Sequence, residues 1–128
     1  MNVVDSSGWL EYFADAENAA FFASPIEDID NLIVPVISIY EVFKRLLVTK
    51  GMDVAELRIA DLYKGQKVDF TAPLALSAAQ LSAEYGLPMA DAIIYATARA
   101  SDATLWTQDE HFKELPGVKF IVKKDLAK

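Results

Sequence analysis

The feature that most constrains this chain is an alternation: short β-branched runs recur along it, each followed by a longer stretch of helical period. Such alternation marks βαβ units, in which parallel strands form a sheet and the connecting helices cover it. Strands are expected at Asn2 to Val4, Leu32 to Ile37, Lys67 to Phe70, Thr104 to Thr107 and Lys119 to Val122. Helical patterns occupy Gly8 to Phe13, Ala16 to Phe22, Ser38 to Lys50, Val54 to Tyr63, Leu76 to Tyr85 and Met89 to Ala100. Gly51, Gly65 and Gly86 close three of them, and Ser38 and Asp53 stand where N-caps belong. With 128 residues and no repeat, linker or low-complexity tract, residues 1–128 read as one domain that buries a core without disulfides.

Composition then removes whole classes of chemistry. There is no cysteine, so thiolate metal sites, cysteine nucleophiles and disulfide frameworks are excluded. The single histidine, His111, excludes a metal-free ribonuclease working with two imidazoles and a zinc hydrolase with two or three His ligands. The amino-terminal stretch carries Asp5 and no basic region, and the longest uncharged run, Phe70 to Ala83, is too short to span a bilayer and contains Pro73. A soluble cytoplasmic protein without membrane contact is expected. The net charge of −7 argues, at first sight, against a nucleic-acid partner, which usually meets a basic patch.

In an open parallel sheet, ligands bind beyond the carboxyl ends of the strands, where the strand order reverses. Asp5, Ser6 and Ser7 follow the first expected strand, Glu41 lies on the helix after the second, and Thr107 and Asp109 end the fourth. The third is followed only by uncharged Thr71 and Ala72, while Asp91 opens the Met89 helix. Taken singly, each acid has a structural explanation. Asp5 can cap a helix, a role worth about 1 kcal/mol, and Asp91 suits the positive end of a helix dipole. Glu41 has Lys44 and Arg45 at i+3 and i+4, and Asp109 can cap the turn Glu110 to Glu114. Yet the neighbours of Glu41 and Asp91 are mostly apolar, in Ile37-Ser-Ile-Tyr-Glu-Val-Phe and Leu87-Pro-Met-Ala-Asp-Ala-Ile-Ile. A carboxylate in such surroundings is costly unless it is paired, protonated or bound to a cation. Arg99 is two turns beyond Asp91, too far to be its partner. A divalent ion would satisfy several acids at once, because carboxylate and hydroxyl oxygens are the ligand set of hard cations.

Four segments carry a resemblance: Met1-Asn-Val-Val-Asp-Ser-Ser-Gly-Trp-Leu, Ile39-Tyr-Glu-Val, Leu87-Pro-Met-Ala-Asp-Ala-Ile-Ile-Tyr-Ala-Thr-Ala and Leu105-Trp-Thr-Gln-Asp-Glu-His-Phe. Together, and over essentially the whole chain, they resemble the PIN domain, specifically the VapC toxins of toxin-antitoxin pairs. The resemblance implies a three-layer α/β/α fold with a five-stranded parallel sheet in the order 3-2-1-4-5, in which Asp5 and Asp109 face each other. It implies a metal-dependent endoribonuclease in which Asp5, Glu41, Asp91 and Asp109 form the catalytic acidic site and hold Mg2+ or Mn2+. Relatives that use three direct ligands leave the roles of Glu41 and Asp109, direct or through water, open. Ser7 and Thr107 become supporting hydroxyls, and the partners implied are RNA, a second copy in a homodimer, and a VapB-type antitoxin covering the acidic groove.

Lys44, Arg45 and Arg99 are the candidates for RNA contact, each with solvated surface charge as the competing explanation. His111 follows Asp109 closely, which suits contact with substrate, but a lone histidine in a polar turn reads first as an exposed side chain. Tyr40 and Tyr95, which adjoin the acids in sequence, suit either base stacking or packing. Two alternatives follow from the same acids. One is a non-catalytic module whose acidic groove binds a basic peptide. The other, a phospho-receiver domain, expects an aspartate after the third strand, where this chain has Thr71.

Overall fold

Val3 and Val4 are both fully buried, yet they belong to different hydrophobic clusters, one on each face of the sheet. A strand turns successive side chains to opposite faces, so a strand with both faces buried must be apolar throughout. That strand, β1 (Asn2–Val4), is central in a computed structural model that describes residues 1–124. Residues 125–128 of the expected domain lie outside the described residues.

The other elements are α1 (Ser6–Phe13), α2 (Ala19–Glu27), β2 (Leu32–Pro35), α3 (Val36–Lys50), α4 (Met52–Leu62), β3 (Gln66–Val68), α5 (Ala72–Tyr85), α6 (Met89–Ala100), β4 (Thr104–Thr107) and β5 (Val118–Phe120). All strand pairs are parallel and the order is β3-β2-β1-β4-β5. The expected α/β/α architecture is therefore observed. One cluster joins Val3, Ile33 and Leu105 to Leu74 and Ala78 of α5 and the buried face of α6. The other joins Val4, Leu32 and Val34 to Trp9 of α1, Phe22 and Ile26 of α2, Val42 and Leu46 of α3, and Ala55 and Leu62 of α4.

β1, β4 and α6 fall where the sequence predicts them, and the remaining boundaries shift for identifiable reasons. Val36 and Ile37, expected in the second strand, instead open α3. Pro35 ends the strand with an extended backbone, and the helical spacing of Ser38, Val42 and Leu46 buries one face of the helix. α2 starts later than Ala16 because Asn18 is buried in the preceding turn, its side chain donating to Gln108 Oε1 at 2.9 Å and to the Val122 carbonyl at 3.1 Å. α5 starts earlier than Leu76, with Thr71 as N-cap accepting from the Leu74 amide and Pro73 in the first turn, where its missing N–H costs nothing. β3 leaves the sheet after Val68, freeing Asp69 and Phe70 for the approach to that cap. α4 begins at Met52, with Asp53 in its first turn and Gly51, at φ 91°, making the bend from α3 that a side chain would oppose. β5 begins one residue earlier than expected, at Val118.

Gly8 sets how closely α1 approaches the sheet. A Cβ there would sit 2.6 Å from the Phe22 ring and 2.7 Å from a Val4 methyl, and both of those side chains are fully buried. Helix propensity alone favours Gly8→Ala by about 1 kcal/mol. The collision with a packed core wins, and the variant should lose roughly 1–2 kcal/mol, seen as a lower urea midpoint at unchanged slope. A higher midpoint would contradict this packing.

Candidate metal centre

Asp5 stands at the junction of β1 and α1, only 3% exposed. As N-cap it accepts the Gly8 amide at 2.9 Å and the Ser7 hydroxyl at 3.1 Å, while Thr107 Oγ1 donates to its Oδ2 at 2.7 Å. Capping and site-building are thus the same contacts. Thr107, fully buried at the end of β4, also accepts the Asp109 amide at 2.9 Å. One hydroxyl therefore fixes the positions of two acids on neighbouring strands. Asp109 in turn caps the 3-10 turn Glu110–Phe112 by accepting the His111 amide at 2.9 Å.

The other two acids arrive on helices. Asp91 lies in the first turn of α6, and Glu41 on α3, which packs against α6. Ser6 Oγ donates to Glu41 Oε1 at 2.6 Å, tying α3 to the start of α1. The sequence reading passed over Ser6; its place beside Asp5 was the available signal. His111 is exposed, as the sequence suggests, and the structure adds that its Nδ1 lies 2.9 Å from Asp91 Oδ2 and 3.1 Å from Asp109 Oδ1. Beside the acids, Gln108 donates to Glu11 Oε1 at 3.2 Å and accepts from Asn18, a polar network that holds α1 against the end of β4.

The electrostatics follow from this convergence. Burial pushes the Asp5 carboxyl from 3.8 up to about 7, more than the Thr107, Gly8 and Ser7 hydrogen bonds pull it down, with a further push from Asp109. Burial also raises Asp91, reinforced by Asp109 and Glu41 and opposed by His111. His111 is raised chiefly by the charge of Asp109 and then by its contact with Asp91. Asp5 and Asp91 thus share one neighbour, Asp109, whose charge pushes both upward.

Among the described residues, the only base within salt-bridge distance of these four acids is His111. A buried carboxylate facing others without a Lys or Arg partner is the donor set that a hard divalent cation satisfies. Adjacent donors around a six-coordinate ion with bonds of about 2.1 Å lie roughly 3 Å apart. The 2.9 and 3.1 Å separations of His111 Nδ1 from the two carboxylates match that edge. Asp91, Asp109 and His111 each offer an atom within 4.8 Å of the others. The residues present fit such an ion.

The three cationic candidates do not share one place. Lys44 and Arg45 line an open groove along α3 with Tyr40, Glu41 and Val48, so of the four acids they flank Glu41. Lys44 also lies over the Tyr40 ring, 5.7 Å from its centre. Arg99 is not brought to the cluster: it sits at the far end of α6, packed against Gly117 just before β5, at the opposite edge of the parallel sheet. Tyr95 is 1% exposed and donates to the Pro116 carbonyl at 2.7 Å, which makes it a packing residue, whereas Tyr40 is exposed.

The sequence matches the family model of the PIN domain over residues 3–118. Among solved structures the chain resembles a toxin-antitoxin complex from Klebsiella pneumoniae, at 24% identity and TM-score 0.76, covering 93% of this chain and 96% of that one. It resembles DNA-bound VapBC from Salmonella typhimurium at 12% identity and TM-score 0.73, covering 94% and 96%. It also resembles Mycobacterium tuberculosis VapC20, described as a sarcin-ricin loop cleaving toxin, at 18% identity and TM-score 0.72, covering 88% and 92%. At these identities the likeness is one of fold. A comparison with curated proteins gives no match.

The buried Asp5 makes a prediction that needs no ion. Its folded-state pKa near 7 lies above the ordinary 3.8, so its contribution favours folding below about pH 4 and is lost as the pH rises through 7. In chelator, Asp5→Asn should match or exceed the wild-type melting temperature near pH 8, and that advantage should shrink towards about pH 5. A wild-type-minus-variant difference that stays constant across this range would contradict the assignment.

Proposed function

The chain belongs to the PIN domain family, and from that premise we propose that it is a Mg2+- or Mn2+-dependent endoribonuclease. In this proposal it acts as a VapC-like toxin that hydrolyses RNA phosphodiester bonds and is inhibited by a cognate VapB-type antitoxin. The observation that carries the proposal is the convergence of four carboxylates with no Lys or Arg among the described residues to neutralise them.

Asp5, Asp91 and Asp109 would hold the ion, with Glu41 acting directly or through water. When bound, the ion lowers the pKa of a coordinated water, polarises a phosphoryl oxygen and neutralises charge in the in-line displacement. The chain's own residues orient and exclude. Thr107, Ser7 and the Gly8 amide occupy Asp5 lone pairs and fix its carboxylate plane. Ser6 holds Glu41 at the rim, and Thr107 keeps Asp109 at the level of Asp5. Lys44, Arg45 and exposed Tyr40 flank Glu41 in a groove suited to a phosphate backbone and an unstacked base. Arg99 has no part in this.

The partners are also proposals. VapC20's description as a sarcin-ricin loop cleaving toxin supports RNA as the substrate class. The toxin-antitoxin assemblies among the similar structures support an antitoxin partner. For a homodimer, the apolar surface that exposed Phe70, just before α5, and Met89 of α6 share with the faces of those helices is of the kind a second copy would cover. No helix of the described residues is long and apolar enough to cross a membrane, and we place the protein in the cytoplasm.

The purified chain should cleave RNA with Mg2+ or Mn2+, stop on chelation, and lose about 100-fold or more of its rate as Asp91→Asn while keeping its fold. Equal cleavage by that variant would refute the proposal. Lys44→Ala and Arg45→Ala should raise KM at nearly unchanged kcat and flatten the dependence of binding on salt by about one phosphate contact each. Arg99→Ala should do neither, and an Arg99 effect equal to theirs would reverse the groove assignment.

A further inference from the structure

His111 is the one residue at the acidic cluster that neither the sequence reading nor the proposed nuclease chemistry uses, and its placement is constrained on three sides. Its backbone amide donates to Asp109 Oδ1 at 2.9 Å. The next residue, Phe112, is fully buried, and its amide donates to the Asp109 carbonyl at 3.1 Å. The turn that carries the imidazole is therefore anchored on one side by the core and on the other by an acid of the cluster.

Nδ1 is the ring nitrogen that faces the acids, at 2.9 Å from Asp91 and 3.1 Å from Asp109. Two carboxylate oxygens and an imidazole nitrogen gather this closely only around a positive centre, which is either a proton on Nδ1 or a metal ion that takes its place. Both distances equal the edge between neighbouring donors of a six-coordinate ion. A proton on Nδ1 shared between the two acids gives the same distances, so the ring is placed to exchange that proton for an ion.

We infer that His111 is a ligand of this metal centre, supplying through Nδ1 a nitrogen donor that makes the site prefer Mn2+ over Mg2+. The inference rests on the metal-centre assignment above. On binding, the Nδ1 proton is released to water, the ring keeps its proton on Nε2, and the lone pair of Nδ1 turns to the ion. Mg2+ favours an all-oxygen shell, whereas imidazole suits first-row transition metals. Asp91, Asp109 and His111 would then together offer two oxygen donors and one nitrogen donor.

The test is spectroscopic and uses the full chain loaded with Mn2+. Pulsed electron paramagnetic resonance should detect nitrogen hyperfine coupling to the bound Mn2+ in the wild type and none in His111→Ala. His111 is exposed, so that variant should keep the wild-type melting temperature in chelator. Calorimetry should show its affinity for Mn2+ falling by about tenfold or more, with Mg2+ affinity changed little. Mn2+ that binds wild type without nitrogen coupling, or an unchanged Mn2+ to Mg2+ preference in His111→Ala, would overturn the inference and leave the acidic centre standing. Failure of the wild type to bind either ion would overturn the centre itself and this inference with it.

Discussion

The geometry at the carboxyl end of the sheet depends on the hydroxyl of Thr107. Its 2.7 Å bond to Asp5 and its acceptance of the Asp109 amide at 2.9 Å join the last residues of β1 and β4. These two parallel strands are neighbours where the strand order reverses. In such sheets the reversal opens a crevice that helices do not fill, and backbone groups at its floor need partners. Here the partners are side chains that carry charge. Asp5 satisfies the amide of Gly8 at the start of α1, and Asp109 satisfies that of His111 in the following turn. Asp5 and Asp109 are therefore held by contacts the fold requires anyway.

That economy has a cost in stability. A carboxyl group buried as deeply as Asp5, with its pKa near 7, opposes folding when ionised, and three hydrogen bonds do not fully compensate it. The strain is borne by two hydrophobic layers packed on both faces of the sheet. Trp9 and Phe22, both fully buried, lie under the α1 side of the site, and Gly8 lets them approach. A well-filled core of this kind lets a small α/β chain tolerate a charged cavity, and a ligand that neutralises the charge would return stability by mass action.

How much of this the amino-acid sequence discloses depends on whether the relevant physics is local. β1 was readable as a short apolar run stopped by the capping Asp5, and β4 as an alternating strand, Leu105 and Thr107 buried and Thr104 and Trp106 partly so. The places of Asp5 and Asp109 were readable for a related reason, since position just after a strand is a local property, whereas Glu41 and Asp91 lie on helices. Val36 and Ile37 misled because β-branched residues favour strands, while the burial of one face of α3 decided for helix. The late start of α2 is set by contacts of Asn18 with Gln108 and Val122, some ninety or more residues away in sequence, and no local pattern reports them. The contacts of His111 and Ser6 were missed on the same ground: each acts through partners on other elements, Asp91 for one and Glu41 for the other. Arg99 failed in the opposite sense, because sharing a helix with Asp91 puts it about 12 Å along the axis from the acids.

The charge of −7 takes on a different meaning once its distribution is known. Four carboxylates gathered in one crevice set up a local field that repels a phosphate backbone over roughly 8 Å at physiological salt. Lys44 and Arg45 line a groove that includes Glu41 alone of the four. Under the proposed function, an RNA approaching that groove would meet attraction at its edge and repulsion at the acids, and a divalent ion would reverse only the second. Occupation of the centre is thus the step that makes the two halves of the groove agree in sign. Ion binding and RNA binding must then favour each other by the same free energy, whichever comes first. In a chain with so few basic residues near the site, that coupling would account for much of the discrimination between a groove ready to act and one that is not.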